Sequence, residues 1–173
     1  MKPQDAVGKF LRGSKAVLAN TPSSAANLKN MDEILTLASI IEKEARTNTD
    51  KKRVSAVLHN RLAQGMKLQV DATAVYLKGY IQNNVGKYKG LSSSYDAYCN
   101  AYNTYNLTVK ALPAGPICNP GRSSINAAIN PSTEAKYKDY LYFCSKNGTI
   151  YYASTKAEHD ANLKKYGIVI PSV

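Results

Sequence analysis

A chain of 173 residues with 44% hydrophobic content is long enough for one ordinary core and gives no reason to expect a second domain beyond it. Its formal charge of +11 favours polyanionic partners, nucleic acid or an anionic cell envelope, but the basic residues are scattered, Lys51-Lys52-Arg53 being the densest cluster. Without aromatic and basic interleaving the charge reads as general attraction, not base-specific recognition, leaving a nucleic-acid binder as a rival that rests on charge alone. The apolar run Ile34 to Ile41 is far short of the roughly 20 residues of a membrane span, and Cys99, Cys118 and Cys144 match no C-x-x-C spacing, which excludes a metal knuckle and allows at most one disulfide.

The start, MKPQDAVGKF, lacks the apolar core of a signal peptide, which leaves two readings open: a cytosolic protein, or a piece from which an anchor is missing. Residues 1–30 are polar and read as a linker or helical segment, with one helix near Ala6 to Ala19. Asn30 followed by Glu33 predicts a capped start for the next helix, which continues through LTLASIIEKEAR. At about 100° per residue Ile34, Leu37, Ala38, Ile41 and Ala45 form one stripe, with Glu42 and Glu44 on opposite flanks. Residues two apart do not face each other, so at most one of these carboxylates is the working group. Ala38 and Ser39, one turn below Glu42, leave room for a substrate there, whereas Ile40 and Ile41 lie below Glu44. The plainer alternative makes both glutamates ordinary helix residues paired with Lys43, Arg46 or Lys52.

Thr49 or Asp50 is expected to cap a second helix carrying Val54, Val57, Leu58 and Leu62 until Gly65 stops it. Lys67 to Val70 reads as extended, Asp71 as the cap of a brief helix ending at Gly79, and Tyr80 to Tyr105 as a long loop. Ser123 is expected to cap a helix that Pro131 stops. Tyr140 to Ser145 and Thr149 to Ser154 flank Asn147-Gly148, the type I′ hairpin dipeptide, and Thr155 with Glu158 predicts a capping box for a last helix ending near Gly167. Helices and one hairpin in segregated order predict an α+β fold: a single compact domain with helices packed on a small, mainly antiparallel sheet that includes the C-terminal hairpin.

His59 and His159 are the only histidines and have no zinc-protease spacing, so no metal site is expected. Phosphate-binding glycine motifs and G-x-S-x-G are also missing, and Cys144 reads as sheet packing, not as a nucleophile paired with His159. Carboxylate chemistry remains. A two-carboxylate glycosidase needs a second acid across the bond, whereas a lytic transglycosylase manages with one glutamate, because the sugar's own hydroxyl replaces water.

LTLASIIEKEA is followed in order by VLHNRLAQGMKLQVDATAVY, AYNTYNLTVKALPAGPICNPG, INAAINPS, DYLYFCS and YASTKAEHDAN. This succession, from Asp32 to Asn162, resembles the catalytic domain of the YceG-like (MltG) endolytic murein transglycosylases. The resemblance implies residues 31–173 as the catalytic domain, and an enzyme on the extracytoplasmic face of the cell membrane. It implies cleavage of nascent peptidoglycan glycan strands between N-acetylmuramic acid and N-acetylglucosamine, leaving 1,6-anhydro ends. No cofactor is implied; the partners are the glycan strands and cell-wall synthases, with a membrane anchor upstream of a chain that is itself a soluble fragment.

The family's catalytic glutamate, taken as the first Glu of ASIIEKE, maps onto Glu42, which would be kept protonated by its apolar flank and act as acid and then base. Glu44 becomes a supporting or substrate-contacting residue. The other motif positions carried over as substrate-binding are Asn60, Arg61, Gln69, Asp71, Tyr76, Asn103, Thr104, Tyr105, Asn119 and His159; Glu158 is already explained by capping. This chain reads Gln69-Val70-Asp71-Ala72-Thr73 where the family commonly has Gln-Thr-Asp-Pro-Thr, losing a hydroxyl and a first-turn proline. That change motivates the rival reading of a non-catalytic peptidoglycan-binding or scaffold module.

Overall fold

The computed structural model describes residues 31–76, 101–105 and 112–169. The expected helix near Ala6 to Ala19, the Asn30 cap, the end of a helix at Gly79 and most of the loop from Tyr80 lie outside the described residues. Those described form α1 (Met31–Glu44), α2 (Asn48–Ala63), α3 (Asp71–Tyr76), α4 (Arg122–Ile129), a 3-10 turn (Ala135–Tyr137), β1 (Tyr142–Lys146), β2 (Thr149–Ala153) and α5 (Lys156–Tyr166). The fold is α+β: helices with a two-stranded antiparallel sheet formed by the C-terminal hairpin.

Helix α1 is central. Six consecutive residues, Thr36 to Ile41, are buried, so the single apolar stripe expected from the wheel is too narrow. Helices α2 and α4 pack on it, and the core joins its Leu37, Ile40 and Ile41 to Val54 and Leu58 of α2 and Ile125 and Ile129 of α4. On the remaining side, Ser39 Oγ accepts the Ile117 N–H at 2.9 Å and donates to the Thr36 carbonyl at 2.7 Å, which satisfies a hydroxyl with no exposure to solvent. Polar side chains also join α2 to α4. Ser55 Oγ donates to the Ala127 carbonyl at 2.7 Å, and His59 Nε2 lies 2.8 Å from the Ala128 carbonyl.

Two expected caps are displaced by local chemistry. Thr47, not Thr49 or Asp50, caps α2: its backbone is extended, its hydroxyl accepts the Asp50 N–H at 3.1 Å, and Asp50 supplies the favourable acid in the first turn. Helix α4 begins after Gly121, which has no side chain to cap it, and Ser123 lies in its first turn with its hydroxyl accepting from Lys51 Nζ at 3.0 Å. At the end of α2 the expected stop holds, with Gly65 at φ 62° and the Met66 N–H closing back on the Arg61 carbonyl at 2.8 Å.

The hairpin follows its dipeptide. Asn147 and Gly148 have φ of 53° and 80°, the two positive values a type I′ turn requires, and Lys146 pairs with Thr149. A Cβ on Gly148 would meet nothing within 4 Å, so Gly148→Ala is expected to cost about 1 kcal/mol from backbone conformation alone. Chemical denaturation at constant m-value checks this, and an unchanged midpoint would mean that the turn tolerates a side chain. The capping box is present, with Glu158 N–H on Thr155 Oγ1 at 3.2 Å and Thr155 N–H on Glu158 Oε2 at 3.3 Å. Helix α5, capped by Gly167 at φ 57°, packs across both strands.

Candidate active site

The last turns of α1 place Glu42 and Glu44 in opposite electrostatic settings. One oxygen of Glu42, Oε2, accepts three hydrogen bonds: from Lys51 Nζ at 3.1 Å, Ser124 Oγ at 2.5 Å and the Gly121 N–H at 3.2 Å. The Ser124 hydroxyl, Lys51 and the Gly121 amide together hold its carboxyl below the ordinary value, outweighing the effect of burial. Glu42 is therefore a carboxylate tied to the start of α4, and the expectation that an apolar flank keeps it protonated is corrected. Ala38 and Ser39 are fully buried, and the chain from Ile117 to Ser124 packs on that side of α1, leaving the Glu42 side chain 32% exposed.

Glu44 has the environment expected for Glu42. Burial, reinforced by the nearby Asp71 carboxylate and only partly offset by the Ala72 backbone N–H, pushes its carboxyl up to about 7. It lines two cavities. One, of about 340 Å³, includes Arg61, Gln69, Asp71, Tyr105, Tyr142 and His159; the other, of about 380 Å³, includes Ala72, Val75, Tyr76 and Ile117. Both fall in the size range of small-ligand sites.

The Asp71 segment is built by two threonines. Thr104 Oγ1 accepts the Val70 N–H at 2.9 Å and lies 3.0 Å from Thr73 Oγ1, which donates to the Val70 carbonyl at 2.8 Å. Thr104 is fully buried and so shapes the site from behind. Asp71 does not serve as a simple helix cap: it lies in the first turn of α3, and its Oδ1 accepts the Tyr105 hydroxyl at 2.5 Å. That bond, together with burial as the larger cause, raises the tyrosine's pKa well above its ordinary value. Asn103 Oδ1 accepts the Tyr105 N–H at 3.0 Å, and Gln69, at φ 51°, accepts from Arg61 Nη1 at 3.3 Å.

Of the residues proposed from the sequence, Glu44, Arg61, Gln69, Asp71, Tyr105 and His159 line one cavity, and Tyr76 lines the second beside Tyr102. Asn60 is elsewhere. Its Nδ2 donates to the Tyr137 and Tyr140 carbonyls, both at 2.9 Å, tying α2 to the approach of the hairpin. Asn119 is exposed beside Leu35, Cys118 and Pro120.

Several contributors were not among the site residues proposed from the sequence. Tyr142 and Ser145 bring β1 into the cavity wall, and Lys51 with Ser123 and Ser124 surrounds Glu42. A signal for Lys51 exists: it stands at i relative to Val54, Ser55 and Leu58 at i+3, i+4 and i+7, on the buried face of α2, where a cation needs an acid. Cys118 and Cys144 are free thiols, and Cys99 lies outside the described residues. Among the described residues no group of His, Cys, Asp and Glu is arranged to hold a metal, and no helix is long and apolar enough to cross a membrane.

Residues 1–165 match the YceG-like family. The chain belongs to that family. This YceG-like chain is 38% identical over 141 residues to the endolytic murein transglycosylase of Bacillus subtilis (strain 168), covering 81% of this chain and 36% of that protein. It is 30% identical over 149 residues to the protein of the same name in Streptococcus pneumoniae serotype 2, covering 83% of this chain and 25% of that one. The crystal structure of a YceG-like protein from Listeria monocytogenes matches with a TM-score of 0.63 at 34% identity, over 91% of this chain and 46% of that chain. The YceG-like chain thus spans well under half the length of each of these curated relatives.

Proposed function

We propose that this chain is an endolytic peptidoglycan lytic transglycosylase in which Glu44, and not Glu42, is the proton donor. The observation that carries this is the position of Glu44: a protonatable carboxyl raised to about 7, shared by two cavities that flank it. A strand bound across both cavities would present its glycosidic oxygen to the acid. Two arms of sugar on either side are what an endolytic cut needs. The names of the relatives support the substrate class, murein.

In the proposed reaction Glu44 gives its proton to the glycosidic oxygen as the C1–O bond of N-acetylmuramic acid breaks. The muramoyl C6 oxygen closes on C1, and its hydroxyl proton passes to the Glu44 carboxylate, restoring the acid. No water is consumed. A pKa near neutrality serves both steps, since the group must release and recover a proton within one turnover. Asp71, fixed by Tyr105, is placed to accept hydrogen bonds from sugar hydroxyls and to keep Glu44 protonated in the resting site. Extracytoplasmic location, an upstream membrane anchor and coupling to cell-wall synthases belong to the same proposal and rest on the resemblance alone.

Mass analysis of products from uncrosslinked glycan tests the reaction class. Anhydro ends, lighter by one water than reducing ends, are expected; reducing ends would mean a hydrolase, and tight binding without cleavage would favour the scaffold reading. The pH dependence has a definite sign. Glu44 must be protonated to act, so kcat/KM is expected to fall above about pH 7. Its raised folded value also means that stability from this group is fully present below its ordinary value of 4.5 and lost as pH rises to about 7. A rate profile flat from pH 6 to 9 would remove Glu44 from the role.

A further inference from the structure

We propose that the cavity between Arg61 and His159 is a carboxylate subsite that receives the acid borne by the muramoyl sugar, either its lactyl carboxylate or the carboxylate of an attached peptide. This rests on the reading of the chain as a peptidoglycan-binding enzyme and names the group that the site selects. Two observations point to an anion. Arg61 is buried, with 6% of its surface exposed, and among the described residues no carboxylate pairs with it, the ion pairs there being formed by Lys51, Arg53, Lys136 and Lys156. Among the described residues its guanidinium is held in place by neutral acceptors, the carbonyls of Leu141, Lys67 and Leu68 at 2.5, 2.9 and 2.8 Å and Gln69 Oε1 at 3.3 Å. A buried cation without a counter-charge is costly in an empty site and favourable in one that an anion completes.

His159 supplies the second observation. It is 8% exposed, lines the same cavity, and its Nδ1 is buried with no hydrogen-bond partner among the described residues. A buried unpaired ring nitrogen costs stability unless a ligand meets it. The side chains are stacked in series: Arg61 lies 4.9 Å from the Tyr142 ring centre, and that ring stacks on His159 at 5.4 Å and 26°. The imidazole and guanidinium are thereby both held against one tyrosine ring. Lys156, paired with Asp160, adds a further cation at the cavity wall.

The cavity is polar in the directional sense. Arg61 packs on the Tyr142 ring, whereas Asp71 holds the Tyr105 hydroxyl and Glu44 lines the same cavity. Such a site suits a molecule with hydroxyl donors at one end and an acid at the other. Muramic acid has that form, and N-acetylglucosamine lacks the acid.

The test is an NMR titration of the His159 imidazole nitrogens in the full chain, using N-acetylmuramic acid, N-acetylmuramyl-L-alanyl-D-isoglutamine and N-acetylglucosamine as separate probes. A saturable Nδ1 shift with either muramoyl probe, and none with N-acetylglucosamine at equal concentration, is expected. Response to muramic acid identifies the lactyl carboxylate, and response to the dipeptide conjugate alone identifies the peptide acid. An equal response to N-acetylglucosamine, or none to any probe, overturns the proposal. His159→Phe keeps the ring on Tyr142 and removes the nitrogen, and is expected to weaken muramoyl binding about tenfold, the scale of one lost hydrogen bond to a charged group. His159→Asn, which can return an N–H near the Nδ1 position, is expected to recover most of that affinity; equal weakening by both folded variants would count against a hydrogen-bonding role. Cleavage is scored separately: cleavage without a His159 response removes the subsite and leaves the enzyme, and the reverse leaves a binding module.

Discussion

Glu44→Gln is expected to lower kcat for cleavage of uncrosslinked glycan strands by about 10³-fold, within the range that a positioned general acid contributes. The substitution keeps shape and removes the proton. Binding of the strand is expected to persist, because the two cavities beside Glu44 are built from other residues, among them Arg61, Asp71, Tyr76 and Tyr142. The same change should stabilise the fold at alkaline pH, where wild-type Glu44 is charged in a desolvated position beside Asp71, and should have little effect near pH 4. Rates followed by mass analysis, together with thermal unfolding at two pH values, check both parts. Retained activity with unchanged pH dependence would mean that another group protonates the leaving oxygen.

Glu42→Ala is expected to act on folding instead. Lys51 has 7% of its side chain exposed, and its contacts are Glu42 at 3.1 Å and Ser123 Oγ at 3.0 Å. Removing the carboxylate strands that ammonium and also strips the acceptor from Ser124 and from the N–H of Gly121 at the start of α4. With Lys51 buried but the Glu42 side chain 32% exposed, breaking the pair costs about 2 kcal/mol, or roughly a 5 °C fall in Tm for a chain of this size. Adding Lys51→Met should recover part of the loss, since a paired apolar replacement removes the stranded charge. The depressed pKa of Glu42 gives the sign with pH: its contribution is present above the ordinary value of 4.5 and fades as pH falls through the folded value, so the difference from wild type narrows in acid. Folded Glu42 variants should keep the alkaline limb near pH 7, because the group that sets it is Glu44.

Much of this fold is written in short-range chemistry. Asn147-Gly148 dictates two positive φ angles in succession, and Thr155 with Glu158 satisfies the first amides of α5 reciprocally, so both features follow from neighbouring residues. The caps at α2 and α4 shift: Thr47 caps α2 through its neighbour Asp50, and α4 starts at Gly121, two residues before Ser123. The Ser123 hydroxyl instead meets Lys51, 72 positions earlier. Tertiary partners of that kind leave no local trace.

The two glutamates of α1 illustrate the same limit at the site. Their separation onto opposite flanks of the helix was legible from spacing. The setting of each depends on what packs against its flank. Small residues below Glu42 suggested open space, whereas Ser39 is the docking point for Ile117 and Cys118, and the chain following them supplies the partners of a carboxylate that stays 32% exposed. The bulky Ile40 and Ile41 below Glu44 turn into the core and leave its carboxyl at the cavity wall. Arg61 and His159 entered as motif positions; only the fold reveals that one tyrosine, Tyr142, holds them together.

Carboxyl titration by NMR, with the side-chain carboxyl carbons of the glutamates assigned through Glu44→Gln and Glu42→Gln, tests the assignment of the acid most directly. A midpoint near 7 for Glu44 and one below 4.5 for Glu42 is the predicted result. A Glu44 midpoint at or below 4.5, with Glu42 titrating near neutrality, would contradict it.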